Sequence, residues 1–254
     1  MENIQHKYVD VRGLKLHVAD IGTGPVVVFL HGFPEIWYSW RHQMVAVASA
    51  GLRAIAPDSR GYGLSDQPPE PEKATFRDLV DDLLAILDSF GIPKEPGRAE
   101  KDFGRFDAKT VVKNIYILFS GSELPVARED QEIMDMVDPS TPLPPWFSEE
   151  DLDHYAALYN KSGFRTPLQL PYRSWLEDYG VSDLKVKAPA LLIMGEQDYV
   201  LKFPGMGEYI TSGKVKEYVP ELEITFMPEG THFLQEQLPD QVNQLIISFL
   251  NKHA

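Results

Sequence analysis

The unbroken apolar run Val26-Val27-Val28-Phe29-Leu30 passes directly into His31-Gly32-Phe33-Pro34-Glu35, and this junction constrains the fold more than any other stretch. A short apolar run without polar alternation fits a strand covered on both faces, the position of an inner strand in a parallel sheet. Glycine and proline around Phe33 turn the backbone sharply at the strand's carboxyl end. The Phe33 N–H is thereby a candidate donor to a developing oxyanion.

Around this junction the chain has βαβα order. Tyr8–Val11 and Leu14–Ala19, separated by Arg12-Gly13, read as a hairpin. Trp37–Ala50 reads as a helix stopped by Gly51, Leu52–Asp58 as a strand and Phe76–Phe90 as a second helix. The rhythm then breaks, because Gly91–Lys101 has no apolar run where the next strand is due. Lys109–Ser120 predicts an apolar-rich helix, a proline-dense segment carries Pro139, Pro142, Pro144 and Pro145, and Ser148–Lys161 predicts a polar helix. This stretch has the character of a helical lid. From Ala188 the rhythm resumes with a strand at Ala190–Met194, a helix near Met206–Ile210, a strand at Glu223–Met227 and an amphipathic helix over Pro239–Asn251. The expected class is α/β, a mostly parallel sheet with helices on both faces and a helical cap insertion. The expected division is a core part at 1–94, the cap at 95–187 and the rest of the core at 188–254.

Composition narrows the function. The 254 residues are 43% hydrophobic, enough for one such domain. With 24 Lys and Arg against 38 Asp and Glu, the formal charge is -14, which argues against nucleic acid and anionic membrane as partners. A small molecule is the expected ligand, and self-association is left open. The absence of cysteine excludes a disulfide framework, a thiolate zinc site and a cysteine nucleophile. Met1–Asp10 carries no apolar signal core, so the expected location is cytoplasmic.

Two further strand ends carry chemistry. Gly195-Glu196-Gln197-Asp198 follows one late strand and Gly230-Thr231-His232 follows the next. Asp then His in chain order, each behind its own strand, suits an acid that orients a general base. The third member of a triad needs a strand, a sharp turn with small residues two positions to either side of the nucleophile, and a helix. Asp102 has Gly104 behind it but Glu100 in front, and Ser122 has Leu124 behind it. Neither fits. Asp58, in Asp58-Ser59-Arg60-Gly61-Tyr62-Gly63-Leu64-Ser65, reads as part of a structural loop.

With its His31–Glu35 turn, Asp58–Ser65 loop, Gly195-Glu196-Gln197-Asp198-Tyr199, Gly230-Thr231-His232-Phe233 and Pro171-Tyr172-Arg173, the chain resembles the plant-type soluble epoxide hydrolases, α/β-hydrolases with a helical cap. In that family an aspartate attacks an epoxide carbon to form an ester while cap tyrosines hydrogen-bond the epoxide oxygen. A His-activated water then releases a vicinal diol, and no cofactor takes part. The resemblance implies that His232 is the base, Asp198 its orienting acid, Tyr172 an epoxide-polarising tyrosine and Phe33 an oxyanion donor. It further implies that His31, Pro34 and Trp175 line the substrate site, with a small epoxide as partner.

The departure from the family is as specific as the match. Gly91-Ile92-Pro93-Lys94 runs straight into Glu95-Pro96-Gly97-Arg98, which is similar to the segment after the family's first cap tyrosine. The strand, nucleophile turn, helix and further strand that precede it in relatives have no counterpart, and such a unit needs about thirty residues or more. The sheet is therefore expected to lack its two central strands, leaving Val26–Leu30 without a neighbour on one side and the core marginal. Three alternatives stand beside this reading: haloalkane dehalogenase, which Glu35 and Tyr172 disfavour, a non-catalytic binding protein that keeps the pocket, and a truncated product without a stable fold.

Overall fold

The computed structural model describes residues 4–11, 13–70, 98–123, 126–128, 131–169 and 185–253. The chain forms two compact units, Met1–Ile115 with Ser148–Tyr179, and Tyr116–Phe147 with Gly180–Ala254. The expected helix at Phe76–Phe90 and the segment bearing Tyr172 and Trp175 lie outside the described residues.

The first unit is built on a four-stranded sheet in the order β1-β2-β4-β3. Strands β1 (Gln5–Val11) and β2 (Leu14–Gly22) form the expected hairpin, longer than the local pattern alone predicts. Gly13 supplies the positive φ of 86° at its turn. β2 pairs antiparallel with β4 (Arg53–Pro57), which pairs in parallel with β3 (Val26–Val28). A 3-10 turn over Trp37–Trp40 leads into α1 (Arg41–Ser49), so the helix expected from Trp37 starts its α-helical hydrogen bonding four residues later.

α2 (Arg98–Phe103), α4 (Glu149–Ser162) and α5 (Arg165–Gln169) belong to the same unit, and α3 (Ala108–Phe119) occupies the position expected for the apolar-rich helix. α4 starts where its sequence dictates. The Asp151 N–H donates to Ser148 Oγ at 3.1 Å and the Ser148 N–H donates back to Asp151 at 3.1 Å. Glu149, Glu150 and Asp151 place negative charge in the first turn, where the helix dipole favours it. Asp151 also pairs with Arg41 at 2.8 Å, tying α4 to α1.

Burial corrects one expectation. Val26 and Val28 are each 53% exposed and Leu30 is 49% exposed, whereas Phe29 is buried. A strand is covered on both faces only when neighbouring elements flank it, and β3 pairs with β4 on one side and ends the strand order among the described residues. The loss of a flanking neighbour, expected from the break after Lys94, agrees with that position.

The second unit holds β5 (Ala190–Gly195) and β6 (Leu222–Met227), paired in parallel, with α6 (Met206–Thr211) between them in sequence. α7 (Leu234–Gln237) and α8 (Pro239–His253) follow. Met227, Leu234 and Val242 form its buried centre, with Ile193, Leu238, Leu245 and Ile246 packed around them. The apolar stripe of α8 thus covers the β5–β6 pair, as its periodicity predicts.

An exposed apolar edge strand is a template for pairing with another chain, and a lysine there opposes it. We expect the protein to associate with rising concentration and Val28→Lys to reduce that association without changing the far-UV circular dichroism. Sedimentation velocity checks this. A wild-type monomer at all concentrations, or equal association in the variant, would show that β3 is not a meeting edge.

Candidate active site

In the first unit the turn after β3 is held from several sides. The Phe29 N–H donates to Ile55 O at 2.8 Å, continuing the ladder beyond β3. His31 then acts as a clamp: its Nε2 accepts from the Ser59 N–H at 2.9 Å, and its Nδ1 lies 2.9 Å from Gly32 O. One nitrogen accepting and the other donating defines a neutral ring, and burial lowers the His31 pKa in the same sense. The Gly32 N–H points to the Glu35 carboxylate at 3.3 Å, and the Phe33–Pro34 peptide is cis.

Two groups absent from the sequence reading grip this turn. The Tyr159 hydroxyl, buried on α4, donates to Pro34 O at 2.8 Å. Phe103 on α2 stacks on Phe33 with centroids 6.3 Å apart, Phe164 meets Phe103 edge-on at 5.7 Å, and Tyr159 stacks on Phe164 at 4.4 Å. These rings close a circuit around Phe33 and Pro34 and border an open cleft of about 650 Å³. Helical spacing places Tyr155 and Tyr159 on one face of α4, but nothing local shows which of them reaches a backbone 125 positions away.

Asp58 is structural, as its loop suggested. Fully buried, it accepts from the Trp37 N–H at 2.9 Å and the Leu64 N–H at 3.0 Å and lies 2.9 Å from His17 Nδ1. Gly63, at φ 50°, must be glycine, since a Cβ there would sit 2.4 Å from the Asp58 carboxylate. Asp102 is buried within α2 and ion-paired with Arg105, a helical setting and not a strand-to-helix turn. Ser122 follows a helix, α3, and not a strand.

In the second unit the structure brings together the two residues expected to pair. Two glycines make their approach possible: a Cβ on Gly195 would lie 2.1 Å from Gly230 O, and one on Gly230 would meet Leu234 at 2.2 Å. The strand ends can therefore touch, and the Gln197 N–H donates to Gly230 O at 2.9 Å. Asp198 caps the turn Tyr199–Lys202 by accepting from the Val200 N–H at 2.9 Å. Its carboxylate oxygens lie 3.1 and 3.2 Å from His232 Nδ1. With Nδ1–H donated to Asp198, His232 Nε2 carries the lone pair of a general base.

Aromatic rings fix the imidazole, with Tyr199 at 4.9 Å and Phe233 at 5.3 Å. Behind them Tyr116 is sandwiched between Phe147 at 4.0 Å and Phe233 at 4.4 Å, and its hydroxyl donates to buried Glu236 at 2.7 Å. Sequence reasoning missed this brace, because Tyr116 carries no signal apart from its place on an apolar helix. Among the described residues, no group of three or more His, Cys, Asp or Glu is arranged to hold a metal, and no helix is long and apolar enough to cross a membrane.

Each unit contributes a parallel strand pair, β3–β4 in the first and β5–β6 in the second, the latter with the Asp198–His232 pair at its strand ends, and residues 25–94 match the family model described as alpha/beta hydrolase fold. The chain is 33% identical to Epoxide hydrolase 2 of Siraitia grosvenorii, covering 99% of this chain and 100% of the relative. A crystal structure of an epoxide hydrolase from Vigna radiata is 32% identical, covers 99% of each chain and superposes with a TM-score of 0.84. Potato (Solanum tuberosum) epoxide hydrolase I is 30% identical, covers 98% of this chain and 100% of its own, and gives a TM-score of 0.81. The chain belongs to the epoxide hydrolase family of α/β-hydrolases. It is shorter than these relatives: the Siraitia alignment runs over 318 positions against 254 residues here.

The glycine contact generates a stability prediction. Gly195→Ala forces a methyl group against backbone that has no room to yield, and overpacking of this kind costs about 1–3 kcal/mol. At about 2–4 °C per kcal/mol for a protein of this size, we expect a melting temperature several degrees lower by calorimetry. An unchanged melt would show that the strand ends are not this close.

Proposed function

We propose that this chain is an epoxide hydrolase-type protein that recognises a small epoxide but does not carry the covalent half of the reaction. His232 and Asp198 are the water-activating base and its orienting acid, and Phe33 is the oxyanion donor. Tyr172 polarises the epoxide oxygen, and His31, Pro34 and Trp175 contribute to the substrate site. The absent part is the nucleophile. The proposed setting is the cytoplasm.

The observation that supports this reading is the Asp198–His232 pair, held by backbone and aromatic contacts, together with the engagement of the two candidate carboxylates elsewhere. Asp58 is consumed by three hydrogen-bond partners, and Asp102 is a helical residue paired with Arg105. The sequence from Gly91 to Lys101 supplies no buried strand to aim another. A base with no ester to hydrolyse has lost its covalent route, although His232 retains the chemistry to activate water weakly. This favours binding without efficient turnover over haloalkane dehalogenase activity, which depends on the same missing carboxylate.

Incubation with trans-stilbene oxide tests the proposal. We expect, by chromatography, diol at most slightly faster than in buffer, and that small rate unchanged in Asp102→Asn. Diol formed well above background and lost in His232→Gln would contradict it.

A further inference from the structure

The two members of the Asp198–His232 pair are held unequally. The Asp198 side chain is only 8% exposed and accepts from the Val200 N–H, whereas His232 is 34% exposed. Its Nδ1 lies at nearly equal distances, 3.1 and 3.2 Å, from the two oxygens of one carboxylate. A proton shared between two acceptors points squarely at neither, so it restrains rotation of the ring weakly, and water reaches the exposed edge to compete for it. The orientation of the imidazole therefore depends on what packs against it.

Both rings that flank it are backed by one helical turn. Phe119 meets Tyr199 at 5.1 Å, and Tyr116, three residues earlier on α3, stacks on Phe233 at 4.4 Å with Phe147 on its other face at 4.0 Å. Tyr116 also donates its hydroxyl to Glu236 at 2.7 Å, and the Glu236 N–H donates to Phe233 O at 3.1 Å. The tyrosine thus grips Phe233 by its ring and α7 by its hydroxyl, and His232 directly precedes both. The main chain around His232 has a separate support. The Gln237 side-chain oxygen accepts from the Thr231 N–H at 2.7 Å and the Thr231 hydroxyl at 2.8 Å, and its amide donates to Glu229 O at 2.9 Å. Loosening the ring's support leaves this clasp in place.

We propose that Tyr116, through its hydrogen bond to Glu236 and its stack on Phe233, is a positioning residue that keeps His232 in the Nδ1–H tautomer. The proposal rests on reading His232 as the base. An ionised carboxylate only accepts, so contact with Asp198 selects Nδ1–H and leaves the lone pair on Nε2, where the base needs it. A ring that turns away from Asp198 reverts to the mixture of a free histidine, in which Nε2–H prevails. The lone pair is then on the wrong nitrogen. Tyr116 controls this outcome without touching the imidazole, because Phe233 stands between them.

Nitrogen-15 NMR of the seven histidines, with His232 assigned by its loss in His232→Gln, reads the tautomer directly and needs no epoxide. At about pH 9, where an ordinary histidine is neutral, wild-type His232 should be mainly Nδ1–H. In Tyr116→Leu, which lacks both hydroxyl and aromatic face, the ratio of Nδ1–H to Nε2–H should fall about tenfold, as for a lost hydrogen bond to a charged group. Tyr116→Phe keeps the volume and the stack, and there the ratio should fall about threefold. Glu236→Gln keeps an acceptor for the hydroxyl and should hold the wild-type ratio. If Tyr116→Leu does not fold, Tyr116→Phe decides alone. An unchanged ratio in Tyr116→Phe overturns the proposal even if the protein melts earlier, since a residue that only packs would behave so. An equal fall in Glu236→Gln overturns it as well, because the hydrogen bond would not be the carrier. A wild-type ring that is mainly Nε2–H contradicts the base assignment itself, which separates the failure of that reading from the failure of the positioning role.

Discussion

The Asp58 carboxylate is the interaction on which the first unit depends. An unpaired buried carboxylate would cost several kcal/mol, and here each neighbour that removes the cost is also an element the fold must place. The Trp37 N–H fixes the entry to the segment before α1, the Leu64 N–H closes the loop after β4, and His17 ties in β2. Because the Trp37 turn follows Pro34 so closely, the same charge anchors the far side of the turn that bears Phe33. The near side is held by His31 and Ser59. The turn that bears the proposed Phe33 donor is thus braced at both ends, as a donor that must not relax towards the ground state requires.

The second unit solves a different problem with less material. Two glycines permit a backbone approach that no side chain would tolerate, and the Asp198–His232 pair is the result. The imidazole is then walled by Tyr199 and Phe233, with Tyr116 and Glu236 behind. None of this machinery requires a nucleophile to fold. On the proposed reading the chain keeps its base and acid paired without a nucleophile unit, while in the first unit Val26 and Val28 stand half exposed.

What was legible in the sequence follows the range of the interactions. The hairpin, α3, α4, α8 and the late strands announce themselves through periodicity, turn glycines and the Ser148 cap, all signals spanning a few residues. Asp198 and His232 were legible because each lies in the short turn that follows an apolar run. The burial of Val26–Leu30 was misread, since an apolar run reports what a strand prefers and not whether its neighbour is present. Tyr159 on Pro34 and His17 on Asp58 were invisible, because each depends on packing between elements far apart in the chain. Tyr172 and Trp175 entered through family likeness alone, and they lie outside the described residues.

The central claim, an intact base without a nucleophile, is tested most directly by the fate of solvent oxygen. In a covalent mechanism, water attacks the carbonyl carbon of an aspartyl ester, so turnover in oxygen-18 water leaves the label in the protein's carboxylate. Intact and peptide mass spectrometry of this protein, after prolonged exposure to an epoxide in oxygen-18 water, should show no label beyond that of an epoxide-free control. Epoxide-dependent label in a single aspartate would contradict the account and identify the nucleophile.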